Sequence, residues 1–258
     1  MSTTAIMAHM IPYFPDRELS YAAAHGLIDS KVDYLEVQFP FSDPSADGPT
    51  IEDACGRALA SGFSTARGFE FVHTLVDRGA PPVFIMTYAG IAYASGVKEF
   101  CDLAKQSGAA GLIVPDLPYD YDEGLYEAGI AQGLAVVPVV APSTTPERLA
   151  EVLRGRPEYV YAALRVGITG AATELGQDNL EFLDRVGASG AKVLAGFGIR
   201  SRDQVRMLSE HVHAVVVGSA FVKAISAAAE AAGPDEPAAA AEAVYSAVET
   251  LVSALRPD

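Results

Sequence analysis

The chain has 258 residues, half of them hydrophobic, enough for one α/β barrel or two small domains around a large core. Its 33 acidic residues against 18 basic ones give a formal charge of −15, so it lacks the basic stripe that a nucleic-acid partner requires. No cationic leader opens the chain, and no apolar run approaches the roughly 20 residues that span a bilayer, so a cytoplasmic protein with no membrane partner is expected.

Short apolar runs rich in β-branched residues predict eight strands, at 6–14, 34–39, 83–88, 111–115, 135–140, 159–164, 192–196 and 214–217. Apolar residues three to four apart predict helices between them, at 16–30, 65–77, 97–106, 122–131, 146–153, 179–186, 202–209 and 221–232. Two of these helices carry start signals: Thr145 precedes Pro146 at a first turn, and Ser201 stands three residues before Gln204 as a capping box. Between the second and third strands lies the longest connection, 40–82, with a short helix of its own at 51–60. The tail from 233 to 258 has an apolar stripe at Val244, Val248, Leu251 and Leu255 and predicts one extra docked helix. Cys55 and Cys101 fall far apart in helical stretches and read as small core residues. Strict alternation of strands and helices, without a linker, predicts a single-domain (β/α)₈ TIM barrel over 1–258 with an extra C-terminal helix. An open doubly wound sheet is the competing architecture, but G-x-G-x-x-G is absent after the first strand.

In such a barrel the chemistry sits at the C-terminal ends of the strands. Glu36 lies inside the second strand, where burial costs free energy unless the carboxylate is paired, so the position is either structural or in use as an acid/base. Eleven residues later Asp47 stands in the loop Asp47-Gly48-Pro49, either a turn residue or a second catalytic carboxylate. Glycine-rich ends follow the last three strands, at Gly167 and Gly170, at Gly196-Phe197-Gly198, and at Gly218-Ser219 before a helix. Loops of this kind let backbone amides and a helix N-terminus approach phosphate oxygens, which predicts a phosphorylated small molecule. The five lysines lie in helices, in connections or at the start of a strand, which excludes a Schiff-base aldolase. His211 and His213 precede the last strand, on the stability face, and read as structural, leaving no metal site. Two carboxylates and a phosphate clamp suit C–C cleavage or isomerisation of a sugar-phosphate derivative.

The stretches 35–51, 111–118, 165–170, 194–199 and 217–223 together resemble the tryptophan synthase α subunit family, above all in the run Phe39-Pro40-Phe41-Ser42-Asp43-Pro44 leading to Ala46-Asp47-Gly48-Pro49. The resemblance implies a lyase of tryptophan biosynthesis that cleaves indole-3-glycerol phosphate to indole and glyceraldehyde 3-phosphate. It further implies a partnership with a β subunit in an αββα complex, with no cofactor in this chain and PLP in the β partner. Glu36 would be the acid/base and Asp47 would bind the indole N–H. Tyr161 would line the site, Thr169 would meet the loop aspartate, and Gly170, Gly198, Gly218 and Ser219 would hold the phosphate. Phe197, Tyr88, Met86 and Ile113 would pack around the ligand. Gln38 departs from the family, which commonly has Gly there, and the aromatic that the first loop usually gives to the indole pocket falls to Tyr13 or His9. Two other functions are compatible with these residues: a stand-alone lyase releasing free indole, and a non-catalytic ligand-binding partner that activates a PLP enzyme.

Overall fold

The structure is a computed structural model that describes residues 4–164, 175–196, 198–233 and 236–256. Its strands are β1 (Ala5–Met10), β2 (Tyr34–Gln38), β3 (Val83–Met86), β4 (Gly111–Ile113), β5 (Ala135–Val137), β6 (Val139–Val140), β7 (Tyr159–Ala163), β8 (Lys192–Gly196) and β9 (Ala214–Val217). All pair in parallel, in the order β5-β4-β3-β2-β1-β9-β8-β7-β6. The two ends of that order are one predicted strand. Pro138 divides the run 135–140 because proline has no N–H for a ladder, so β5 pairs with β4 while β6 pairs with β7. The two half-strands thereby bring the ends of the sheet together, and the barrel closes.

Around the sheet run α1 (Arg17–Asp29), α2 (Pro49–Ala60), α3 (Thr65–Asp77), α4 (Ala89–Ser95), α5 (Val97–Gln106), α6 (Leu125–Ala131), α7 (Pro146–Arg154), α8 (Gln177–Gly187), α9 (Arg202–Leu208), α10 (Ser219–Ala232) and α11 (Pro237–Leu255). Thr145 caps α7 and Ser201 caps α9 as expected, and Gln204 reaches back to the amide of Arg200. Three expectations need correction. The first strand ends at Met10, because Pro12 cannot donate, Tyr13 turns through φ 67°, and the Phe14 amide closes onto the Ile11 carbonyl. The helix expected from 122 begins at Leu125, with the Asp122 carboxylate taking up the amides of Gly124, just ahead of it, and of Tyr126, in its first turn. Helix α4 has no counterpart in the sequence pattern; its first amide, that of Ala89, donates to the Asp116 carboxylate.

Strand alternation divides the core in two. Leu35, Val37, Val83, Ile85, Val160, Ala162, Val215 and Val217 face the helices, while Met7, Phe84, Met86, Ile113, Tyr159, Tyr161, Leu194 and Val216 fill the barrel interior. Each large side chain so buried contributes on the order of 1.5–3 kcal/mol. Cys55 and Cys101 are free and buried among the outer residues, and burial pushes their thiols up to about 12 and about 11.

Helix α11 has the length and apolar content of a membrane span, a point the sequence reading missed. Its stripe of Ala240, Val244, Val248, Val252 and Leu255 is buried in the outer core, where α11 packs on α1 and α10. At the crossing with α1, a Cβ on Gly26 would collide with Val248 Cγ2 and stand 2.8 Å from the Tyr245 carbonyl oxygen. Gly26→Ala therefore gains about 1 kcal/mol of helix propensity but overpacks the crossing by about 1–3 kcal/mol, and backbone cannot rotate away. The expected result is a lower urea midpoint, corresponding to a net loss of up to about 2 kcal/mol; a raised midpoint would contradict this packing.

Candidate active site

Toward the C-terminal ends of β1 and β2 the interior becomes polar. In β2 the outward pair is Leu35 and Val37, so Glu36 and Gln38 point into the barrel. Parallel register sets His9 opposite Glu36, Glu36 opposite Phe84, and Gln38 opposite Met86. His9 and Glu36 are each only 4% exposed, and His9 Nδ1 lies 2.7 Å from Glu36 Oε2. An ionised carboxylate can only accept, so Nδ1 carries the hydrogen of that bond whenever Glu36 is charged. The pairing offsets a desolvation cost that an isolated buried carboxylate would bear in full.

Asp47 reaches the same space from the loop after β2, just before Gly48 and Pro49 open α2. Its Oδ2 accepts from the Tyr88 hydroxyl and from Gln38 Nε2, each at 2.7 Å. The Tyr88 oxygen also accepts from the Ala46 amide at 3.2 Å, and its ring stacks on Phe41 at 5.6 Å. Burial pushes the Asp47 carboxyl above its ordinary value; the Tyr88 bond, the charge of His9 and the Gln38 bond pull it back, and Glu36 repels it upward. The Tyr88 hydroxyl is raised far above the ordinary tyrosine range by burial and by Asp47, so it stays a donor.

Glu36, Asp47, Gln38 and His9 line one cavity of about 600 Å³, its open mouth included. Met86 and Ile113 form part of its apolar wall, and Tyr161 another part. The Tyr161 hydroxyl is held in its protonated form by burial and by the charges of Glu36 and Asp47. Its ring lies across β8, where a Cβ on Gly196 would stand 2.6 Å from Tyr161 Cζ. Gly198, Gly218 and Ser219, just beyond the ends of β8 and β9, also line the cavity. Helix α10 starts there, capped by Gly218, so its first amides, which have no carbonyl upstream in the helix, present positive charge to the cavity.

The structure thus gathers Glu36, Asp47, Tyr161, Met86, Ile113, Gly198, Gly218 and Ser219 around one space. Tyr88 is fully buried behind Asp47 and acts on the carboxylate instead of forming the wall. Thr169, Gly170 and Phe197 lie outside the described residues. Of the two aromatics left open for the first loop, His9 lines the cavity, and Tyr13 packs edge-on against Phe63. Gln38 stood out in the sequence only as a departure, and its bond to Asp47 had no local signal. His211 and His213 diverge, one to Asp184 and the other to the Tyr34 hydroxyl. Among the described residues no three His, Cys, Asp or Glu side chains converge as metal ligands.

A family-wide sequence profile described as tryptophan synthase alpha chain matches residues 1–253. The chain belongs to the tryptophan synthase alpha chain family. The alpha chain of Helicobacter hepaticus is 39% identical over 228 residues, which cover 86% of this chain and 85% of that relative. Tryptophan synthase from Mycobacterium tuberculosis superposes with a TM-score of 0.86 at 32% identity, covering 99% of this chain and 94% of the other. A chain from the a2b2 tryptophan synthase complex of Pyrococcus furiosus gives a TM-score of 0.85 at 31% identity, covering 99% of each. The barrel and its extra C-terminal helix are those of the alpha chain family.

Burial gives Asp47 a measurable effect on stability. Because its folded value lies above the ordinary 3.8, the stability associated with the neutral carboxyl is complete below 3.8 and is lost as pH rises through the higher folded value. Asp47→Asn is expected to raise the thermal midpoint at pH 7 by up to about 2 °C, a small effect because the side chain is half-buried and partly screened. The difference from the wild type should close as pH falls toward the ordinary carboxylate range. A variant less stable than wild type at pH 7 would show that the hydrogen bonds of Asp47 outweigh its desolvation.

Proposed function

We propose that this cavity carries out the lyase reaction of the alpha chain family, with Glu36 and Asp47 as the catalytic pair, on one barrel domain spanning 1–258. The reaction is the retro-aldol cleavage of indole-3-glycerol phosphate to indole and glyceraldehyde 3-phosphate in tryptophan biosynthesis. It places a proton on indole C3 and removes one from the glycerol hydroxyl whose carbon becomes the aldehyde, while the C–C bond between them breaks. Glu36, buried and held by His9, is the group we assign to these transfers. Asp47 keeps Oδ1 for the indole N–H, since Oδ2 is occupied by Tyr88 and Gln38. Tyr161, Met86 and Ile113 would enclose the ring. Gly198, Gly218 and Ser219, with the amides at the start of α10, would hold the phosphate.

The observation that carries this reading is the placement of two desolvated carboxylates and a helix N-terminus around one cavity at the C-terminal end of the barrel. Alpha chains of this family carry no cofactor, and PLP belongs to the β subunit. The Pyrococcus furiosus relative is described in terms of mutual activation within an a2b2 complex, which supports the same heterotetrameric partnership for this chain; membership of a biosynthetic enzyme family supports a cytoplasmic setting for it.

Indole release from indole-3-glycerol phosphate, measured with and without an added β subunit, tests the assignment. Slow turnover that rises sharply on addition is the expected result; fast turnover alone would make the chain an autonomous lyase, and none in either case would leave a ligand-binding partner. Glu36→Gln should lower kcat by about 10²–10⁴-fold with little change in ligand affinity, and near-normal turnover would remove Glu36 from its role. Ser219→Asp should weaken binding of the phosphate ester through like-charge repulsion at the head of α10, detectable by calorimetry as a raised Kd. An unchanged Kd would put the phosphate elsewhere.

A further inference from the structure

We propose that His9 is a substrate-binding residue of this cavity, its Nε2 hydrogen-bonded to a hydroxyl of the polyol chain that joins the phosphate to the rest of the substrate. The inference deepens the functional reading above and rests on it for where the ligand lies.

Three observations place the imidazole. The register of β1 and β2 sets His9 beside Glu36, and the 2.7 Å contact commits Nδ1 to the carboxylate. Nε2 is buried without a hydrogen-bond partner among the described residues, in a residue that lines the cavity. On its other flank the ring meets the start of α10, where a Cβ on Gly218 would stand 3.6 Å from His9 Cβ and Cγ and 3.7 Å from Cδ2. The imidazole therefore sits between the proposed acid/base and the proposed phosphate cradle, beside the stretch that a chain running from one to the other must cross.

A ligand that gives Nε2 a partner gains a hydrogen bond that the ligand-free chain does not make there, and one that leaves it unsatisfied gains nothing from it. A hydroxyl is the group that fits. With Nδ1 donating to Glu36, the neutral ring offers an Nε2 lone pair, to which a hydroxyl donates; a protonated ring offers Nε2–H, from which a hydroxyl accepts. A carbonyl or ether oxygen satisfies only the second case, and a methylene neither. His9 would thus make the cavity selective for a phosphate ester with a hydroxylated chain over one with a plain alkyl chain. Glu36 acts here as the group that orients the ring, so the pair serves both binding and proton transfer.

Two small ligands that cannot be cleaved separate the hydroxyl from the phosphate: glycerol 3-phosphate and n-propyl phosphate. Binding of each to the whole chain by calorimetry should show wild type preferring glycerol 3-phosphate by about tenfold, the range of one hydrogen bond made or lost at a buried site. His9→Phe, which keeps a ring and removes both nitrogens, should erase that preference while propyl phosphate affinity stays within about twofold. His9→Asn keeps a donor toward Glu36 but has nothing at the Nε2 position, and it should erase the preference too. Because it disturbs Glu36 less, it also serves if the Phe variant fails to fold. The inference is overturned if wild type shows no preference, if the preference persists in His9→Asn, or if propyl phosphate affinity falls in step with that of glycerol 3-phosphate. A wild-type chain that shows the preference yet never cleaves indole-3-glycerol phosphate would refute the lyase reading and leave His9 as a hydroxyl-reading residue.

Discussion

Closing a parallel sheet into a barrel forces every second side chain of each strand into one shared interior, and the rest of this molecule follows from how that interior is filled. In its lower layers the space is taken by Met7, Phe84, Tyr159, Leu194 and Ala214, a packed and largely apolar plug. At the upper end the same alternation brings His9, Glu36 and Gln38 inward, and these cannot be packed against hydrocarbon without partners. They find partners in each other and in Asp47. The closing joint at Pro138 matters to the site as well, because only a complete ring holds the β1–β2 pair at the depth where its polar residues meet the cavity.

Desolvation favours the roles proposed for these groups, and it has a cost in stability. Asp47 is pushed up by burial although three neighbours pull it down, so the folded chain holds a carboxylate that would be less strained in water. A carboxylate kept partly out of water interacts more strongly with a developing positive charge or an N–H donor than a solvated one, because the local dielectric is low. The apolar plug and the outer layer of Leu, Val and Phe side chains supply the stability against which such a group is tolerated.

Much of this was legible in the sequence, and the exceptions share a physical cause. Alternating strand and helix patterns gave the barrel, and the carboxylate inside a hydrophobic strand singled out Glu36 because burial of charge is visible in one dimension. Asp47, Gly198, Gly218 and Ser219 could be placed because loop residues at strand ends share a face once the fold is known. His9 and Gln38 were visible as residues but not as partners. The first meets Glu36 across 27 positions of sequence and the second meets Asp47 across nine, through strand register in one case and a loop's return in the other. Neither register nor return is encoded locally. The end of β1 at Met10 and the start of α6 at Leu125 were misjudged for a related reason: single polar or proline residues, Pro12 and Asp122, decide whether backbone amides continue a pattern or leave it.

The two carboxylates are held by different means, and the difference bears on the roles proposed for them. Glu36 is fixed by the backbone: its strand pairs on both sides, and its side chain meets His9 from the adjacent residue in the ladder. A group that must deliver a proton to one carbon has to sit within a few tenths of an ångström of its place, and a paired central strand provides that. Asp47 is fixed by side chains, through Tyr88 and Gln38, with the Tyr88 hydroxyl also holding the Ala46 amide. Its loop therefore depends on a residue just beyond the end of β3, and its carboxylate can adjust as those hydrogen bonds lengthen or shorten. A group that steadies a charge spreading over an indole ring tolerates that freedom, since its stabilisation varies gradually with distance, whereas proton transfer requires hydrogen-bond reach.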